Sequence, residues 1–251
     1  MSRQDVKIPT PDGEAQAHVF TPDQGAGPWP AVLLYMDALA IRPTMFEMAE
    51  RLASNGYYVL LPDMFWRLGG YEPLVPKEVF ADQSKLGELF GKFMGSTDPE
   101  RAMRDTGAFL DWLATQPKAK ADKIGVTGYC MGGTLAIRAA AAFPDRIAAA
   151  AAFHAGHVVT EGPDSPHLQV NKIKAKVLFA GADQDPYFTE EHFETLKAAM
   201  KDLDAEVTIY RGALHGYAPN DMPVYDVEHS ERHWREMLAL FDGTLKAPAA
   251  A

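Results

Sequence analysis

A thiol, a carboxylate and an imidazole follow one another along this chain, each placed directly after a strand-like run. The thiol is that of Cys130, the only cysteine, in Gly128-Tyr129-Cys130-Met131-Gly132-Gly133. Residues 124–127 before it are mostly β-branched, as a buried strand requires. Residues 135–143 after it are alanine-rich and helical in pattern. A cysteine between two such elements, with glycine two positions away on either side, reads as a nucleophile elbow carrying sulfur in place of a hydroxyl. The glycines let strand and helix approach without a side-chain clash. The helix N-terminus turns its free N–H groups toward the sulfur, which favours the thiolate.

A thiolate nucleophile calls for a base, and the base for an acid that fixes its tautomer. Asp183 follows the run Leu178-Phe179-Ala180-Gly181-Ala182, and His215 lies in a His-Gly loop after the run 207–210. Asp183 is therefore the predicted acid and His215 the predicted base. Asp185 is the alternative acid, although just before Pro186 it reads more simply as a solvated turn carboxylate. Alone, Cys130 could be a small core residue in a glycine-rich turn. Nucleophile, acid and histidine in that order, each after a strand, argue for chemistry instead.

The elements needed to hold these residues are legible. Residues 6–9 and 15–20 form a hairpin pattern around Thr10-Pro11-Asp12-Gly13. Apolar runs at 31–35, 57–61, 124–127, 147–153, 176–180 and 207–210 read as buried strands of a parallel sheet. Helical spacing covers 43–55, 99–116, 189–203 and 225–245, with Asp98 as N-cap and Pro99 as first residue of the second. Residues 64–97 are irregular, with a helix candidate near 77–93, and read as an insertion over the sheet. The expected architecture is α/β: one domain over 1–246, a mainly parallel sheet with helices on both faces, and a frayed tail at 247–251. Acidic residues outnumber basic ones, 34 to 24, with no basic run, which argues against nucleic acid or an anionic membrane as partner. A lone cysteine, a polar start at residues 1–5 and no apolar run of membrane-spanning length point to a cytoplasmic protein.

The elbow, Gly181-Ala182-Asp183 and Leu214-His215-Gly216-Tyr217 together resemble the dienelactone hydrolase family of the α/β-hydrolase superfamily, over roughly residues 6–245. The resemblance implies an α/β-hydrolase fold and a Cys130–His215–Asp183 triad. It implies an acyl-thioester intermediate and hydrolysis of a small enol-lactone or related ester without a cofactor. The family carries an acidic residue, usually glutamate, after the strand matching 31–35, where it helps switch on the thiol. Asp37 holds that position here, one methylene shorter. By the same analogy, the backbone N–H groups of Ala38 and Met131 form an oxyanion hole. The family holds a substrate carboxylate with arginines, and Arg67 is the best local match. No arginine closely follows His215, so Trp66 and Tyr217 read as aromatic lining of a neutral pocket suited to uncharged or aryl esters.

Alternative readings are a promiscuous hydrolase of neutral aryl esters and activated phosphotriesters, or a non-catalytic ligand-binding protein on the same scaffold. A redox sensor would leave the acid and histidine unexplained. His229 and His233 have the spacing of a metal pair but no third ligand, and read as a solvated helix face. His154 and His157 follow a strand at the expected active edge, and either line the pocket or are ordinary loop histidines.

Overall fold

The computed structural model describes residues 2–246; the tail predicted at 247–251 lies outside the described residues. Strands β1 (Ser2–Thr10) and β2 (Gly13–Thr21) pair antiparallel about the predicted turn, with Thr10 opposite Gly13. Six further strands follow: β3 (Trp29–Tyr35), β4 (Tyr58–Pro62), β5 (Ala119–Tyr129), β6 (Ile147–Phe153), β7 (Lys176–Gln184) and β8 (Ala205–Leu214). They form one sheet in the order β1-β2-β4-β3-β5-β6-β7-β8. Pairings from β4 through β8 are parallel, and β2 joins β4 antiparallel. The loops that follow β3, β5, β6, β7 and β8 therefore meet at one edge of the sheet.

Helices α1 (Pro43–Ser54), α4 (Pro99–Ala114), α5 (Met131–Ala142), α6 (Glu190–Ala199) and α7 (Val227–Phe241) cover the sheet, and α4 begins as expected, with the Asp98 side chain accepting from the Arg101 N–H. The predicted helix near 77–93 is broken instead into α2 (Pro76–Ala81), α3 (Gln83–Glu88) and short turns at 89–93 and 94–96. Asp82 causes the break: its backbone is extended, and its carboxylate caps a new helix by accepting from the Ser84 N–H. Strands β7 and β8 run four residues beyond their predicted ends, because ladder pairing continues past the apolar stretch to Gln184 opposite Leu214. That extension matters for the acid, as shown below.

The elbow is built by close approach. Cys130 has φ 53°, an uncommon backbone for a residue with a side chain. A Cβ on Gly128 would lie 2.2 Å from the Gly132 carbonyl oxygen, and one on Gly132 would lie 2.4 Å from that of Met36. Ala136, Ala139 and Ala140 of α5 are buried, as are Ala149 to Ala152 of β6, so small side chains on both let helix and sheet pack closely. Gly128→Ala should destabilise the protein by more than about 2 kcal/mol in urea unfolding, since backbone faces the added methyl and backbone cannot rotate away. A loss below measurement error would contradict this packing.

Candidate active site

Cys130 stands at the N-terminus of α5, half-buried, on the floor of a cavity of about 340 Å³. His215, in the loop after β8, lines the same cavity. Its Nδ1 lies 2.7 Å from Oδ2 of Asp185. Asp185 Oδ1 accepts from the Tyr187 N–H at 2.8 Å, so the turn backbone fixes the carboxylate while its other oxygen orients the imidazole. The structure thus brings Asp185, not Asp183, to the histidine. Asp183 falls inside the extended β7, where side chains alternate between faces. It is exposed and accepts from the Gly212 N–H of β8 at 2.9 Å. Only after the strand ends at Gln184 can a carboxylate turn toward His215.

Burial disfavours a charged imidazole at His215, but the Cys130 sulfur and the Asp185 carboxylate outweigh it and raise the His215 pKa to about 10. Nε2 of His215, buried and without an oxygen or nitrogen partner, is the nitrogen left for the sulfur. His154, just after β6, packs edge-on to His215 with ring centroids 5.1 Å apart and also lines the cavity. Its backbone has φ 36° and its two ring nitrogens are buried without hydrogen-bond partners among the described residues. Burial, with His215 and His233 nearby, pushes its pKa well down, so it is the neutral histidine of the pair.

Ala38 and Met131 both line the cavity beside Cys130, and among the described residues neither amide donates to a backbone acceptor. Asp37 reaches the cavity edge but is held elsewhere. Arg42, buried, donates to both its oxygens at 2.7 and 2.9 Å, the Leu39 N–H donates to Oδ1, and Arg42 also binds Asp221. Nothing at the sequence level predicted this pairing, since Asp221 comes from the far end of the chain. The other expected pocket residues lie away from the cavity. Trp66 and Arg67 both donate to the fully buried Asp105, and Arg67 also to Asp12. A buried carboxylate needs such partners, and neither side chain is among those that line the cavity. Tyr217 is fully buried behind His154, centroids 5.0 Å apart. His233, expected on a solvated face, is buried in the core with Nε2 3.0 Å from the Tyr129 hydroxyl, and His229 Nε2 meets the Arg211 carbonyl.

The roof comes from the segment expected to lie over the sheet: Phe80, Leu89, Phe90 and Met94 line the cavity from above. The wall along α5 is Met131, Thr134, Leu135 and Arg138, at helical spacing. That spacing, counted from the elbow, was the available signal for Arg138, which sequence reasoning passed over.

The dienelactone hydrolase family model matches residues 15–245. The chain belongs to the dienelactone hydrolase family. It is accordingly a hydrolase acting on ester bonds. A "Putative carboxymethylenebutenolidase" of Yersinia pestis is 27% identical over 94% of this chain and 86% of its own length. A "Putative Dienelactone Hydrolase" of Klebsiella pneumoniae superposes with a TM-score of 0.83 at 22% identity, covering 96% of this chain and 98% of that one. A dienelactone hydrolase-like promiscuous phosphotriesterase from metagenomic libraries gives 0.77, also at 22% identity, over 96% and 98% of the two chains. Among the described residues no helix is long and apolar enough to cross a membrane.

Two predictions follow from this geometry. Cys130→Ala should lower the His215 pKa, because the Asp185 carboxylate alone would then oppose the burial that favours the neutral ring. Histidine-selective NMR titration reads the change, and an unmoved pKa would refute the coupling. Arg42→Met should cost about 3–5 kcal/mol in chemical unfolding, since Asp37 would remain buried without a counterion. Adding Asp37→Asn should recover part of that loss.

Proposed function

We propose that this protein hydrolyses small carboxylic esters or lactones by covalent thiol catalysis, with Cys130 as nucleophile, His215 as base and Asp185 as the acid that orients it. The observation that carries the reading is the strained elbow cysteine sharing an apolar cavity with a histidine whose far nitrogen is fixed by a buried carboxylate. Cys130 gives its proton to Nε2 of His215, and attack of the thiolate on the ester carbonyl forms the C–S bond, breaks the carbonyl π bond and places negative charge on the carbonyl oxygen. The amides of Ala38 and Met131 are the donors available to that oxygen. Collapse expels the alkoxide, which takes the proton from His215, and leaves an acyl-thioester. With the sulfur's charge gone, His215 loses the partner that held its proton. The neutral ring then accepts a proton from water, whose oxygen attacks the thioester and releases the acid and Cys130.

The bulk of the cavity wall is aromatic and aliphatic, which favours substrates with a substantial apolar body. Activated phosphotriesters are a second class the same sulfur and amides could meet; a phosphorylated Cys130 in the intact-mass spectrum after turnover would be its signature.

p-Nitrophenyl acetate and longer p-nitrophenyl alkanoates test the main reading. The wild type should show a burst and steady turnover, both lost in Cys130→Ala. Asp185→Ala should lower kcat by roughly 10²–10⁴-fold, because the histidine loses the carboxylate that fixes its tautomer and orientation and with it most of what a positioned base contributes. Asp183→Ala should stay close to wild type. Equal trace rates in wild type and Cys130→Ala would overturn the mechanism, and a crippled Asp183→Ala beside a normal Asp185→Ala would overturn the assignment of the acid.

A further inference from the structure

The ring of His215 has two aromatic neighbours that differ in their access to solvent. His154 meets it edge-on at 5.1 Å and is 1% exposed, whereas Tyr187 meets it edge-on at 5.0 Å and is 38% exposed. Both line the cavity. Tyr187 is held by its backbone: its N–H donates to Asp185 Oδ1 at 2.8 Å, and its carbonyl accepts from the His157 N–H at 3.4 Å. His157 is exposed, lines the same cavity, and sets its ring 5.4 Å from that of Tyr187 at 54°. Gly156 makes room for this arrangement, since a Cβ there would stand 3.2 Å from Cβ of Tyr187 and 3.7 Å from Cε1 of His215. The Thr134 hydroxyl fixes the Gly156 carbonyl by donating to it at 2.5 Å. His157 has φ 58°, an uncommon backbone for a residue with a side chain, where the loop turns. The loops after β6 and β7 thus put two solvent-facing rings beside the base.

We propose that Tyr187 and His157 form the leaving-group side of the site, and that the preferred substrate is an ester of a phenol, with its aromatic ring in the leaving group. This rests on the hydrolase reading above. As the carbon–oxygen bond of the tetrahedral intermediate breaks, its electron pair goes to the leaving oxygen, which takes the proton from Nε2 of His215. That oxygen must come within hydrogen-bond reach of Nε2, so the group it carries lies against the neighbours of His215. One side is closed by His154 and, packed on it, Tyr217, both buried. The Tyr187 side is open to solvent. There a phenol ring meets two rings inclined to one another, which allows the offset and edge-to-face contacts that aromatic groups prefer. The acyl part is left the apolar roof and the α5 wall. The charged side chains of the lining each face an opposite charge, Asp37 with Arg42, Asp98 with Arg101 and Asp164 with Arg138, which favours an uncharged leaving group.

The test compares 4-chlorophenyl acetate with hexafluoroisopropyl acetate, whose alcohols have similar acidity and whose acyl-enzyme is the same. The readout is the ratio of kcat/KM for the aryl ester to that for the alkyl ester, each divided by its hydroxide-catalysed rate. His215 serves both esters, so damage to the base cancels in this ratio. In the wild type it should be about three- to tenfold, the size of one or two aromatic contacts. Tyr187→Phe should retain it, since the ring and not the hydroxyl makes the contact, while Tyr187→Ala and Tyr187→Leu should bring it near one. His157→Ala should lower it in part, and His157→Phe should restore it. A wild-type ratio near or below one, or a ratio unmoved by Tyr187→Ala, overturns the proposal. A ratio kept in full by Tyr187→Leu overturns the aromatic assignment. Calorimetric titration of 4-chlorophenol into Cys130→Ala, with and without Tyr187→Ala or Tyr187→Phe, reads the same contact without turnover. Binding weakened by Tyr187→Ala and kept by Tyr187→Phe would support the leaving-group side even if all ester turnover failed and the hydrolase reading fell. Binding indifferent to Tyr187→Ala, or no binding, would reject it.

Discussion

The close contact between the end of β5 and the start of α5 is the constraint on which the site depends. Gly128 and Gly132 remove the atoms that would hold strand, helix and the end of β3 apart, and Cys130 then has no relaxed backbone left to adopt. The strain is retained because neighbouring strands hold the residues that lead into the turn: Tyr35 pairs with Gly128, and Phe153 with Tyr129. A residue forced upward at the crossing of a sheet and a helix is exposed to the cavity and lies against the unsatisfied amides of the helix end. The place of the thiol at the cavity is thus a consequence of packing. It needs no special chemistry in the cysteine itself.

Around that point the structure separates two uses of charge. His215 and Asp185 form a pair whose second imidazole nitrogen is left without a partner among the described residues, at the cavity that Cys130 also lines. Arg42 with Asp37 and Asp221, and Arg67 with Asp105 and Asp12, are closed networks whose donors and acceptors satisfy one another. The distinction cannot be made from residue type. An arginine or aspartate near the active edge looks the same in sequence whether its partner is another part of the chain or a ligand, and partners such as Asp221 for Arg42 are separated by most of the protein.

That is also why the sequence was informative in some places and misleading in others. The elbow was legible because it depends on neighbouring residues: a strand, two spaced glycines and a helix. His215 was legible because it follows a strand in a glycine-containing loop. Asp183 was favoured over Asp185 because the strand was ended where its apolar residues end, whereas hydrogen bonding continues to Gln184. A difference of two positions changes which carboxylate leaves the ladder and bends toward the histidine. Trp66, Arg67 and Tyr217 were expected in the pocket because their types suited it, but buried partners remote in sequence hold them elsewhere.

The roof has a different origin from the floor. Cys130, His215 and Asp185 are anchored at the ends of three nearby strands, whereas the residues above them come from one continuous stretch of short helices between β4 and α4. Asp82 caps one of these helices by itself, and Phe80 and Phe90 remain half-exposed at the rim. Such a segment can be lengthened, shortened or exchanged without altering a single strand pairing beneath it. The shape of the cavity is therefore set separately from the strand ends that carry Cys130, Asp185 and His215.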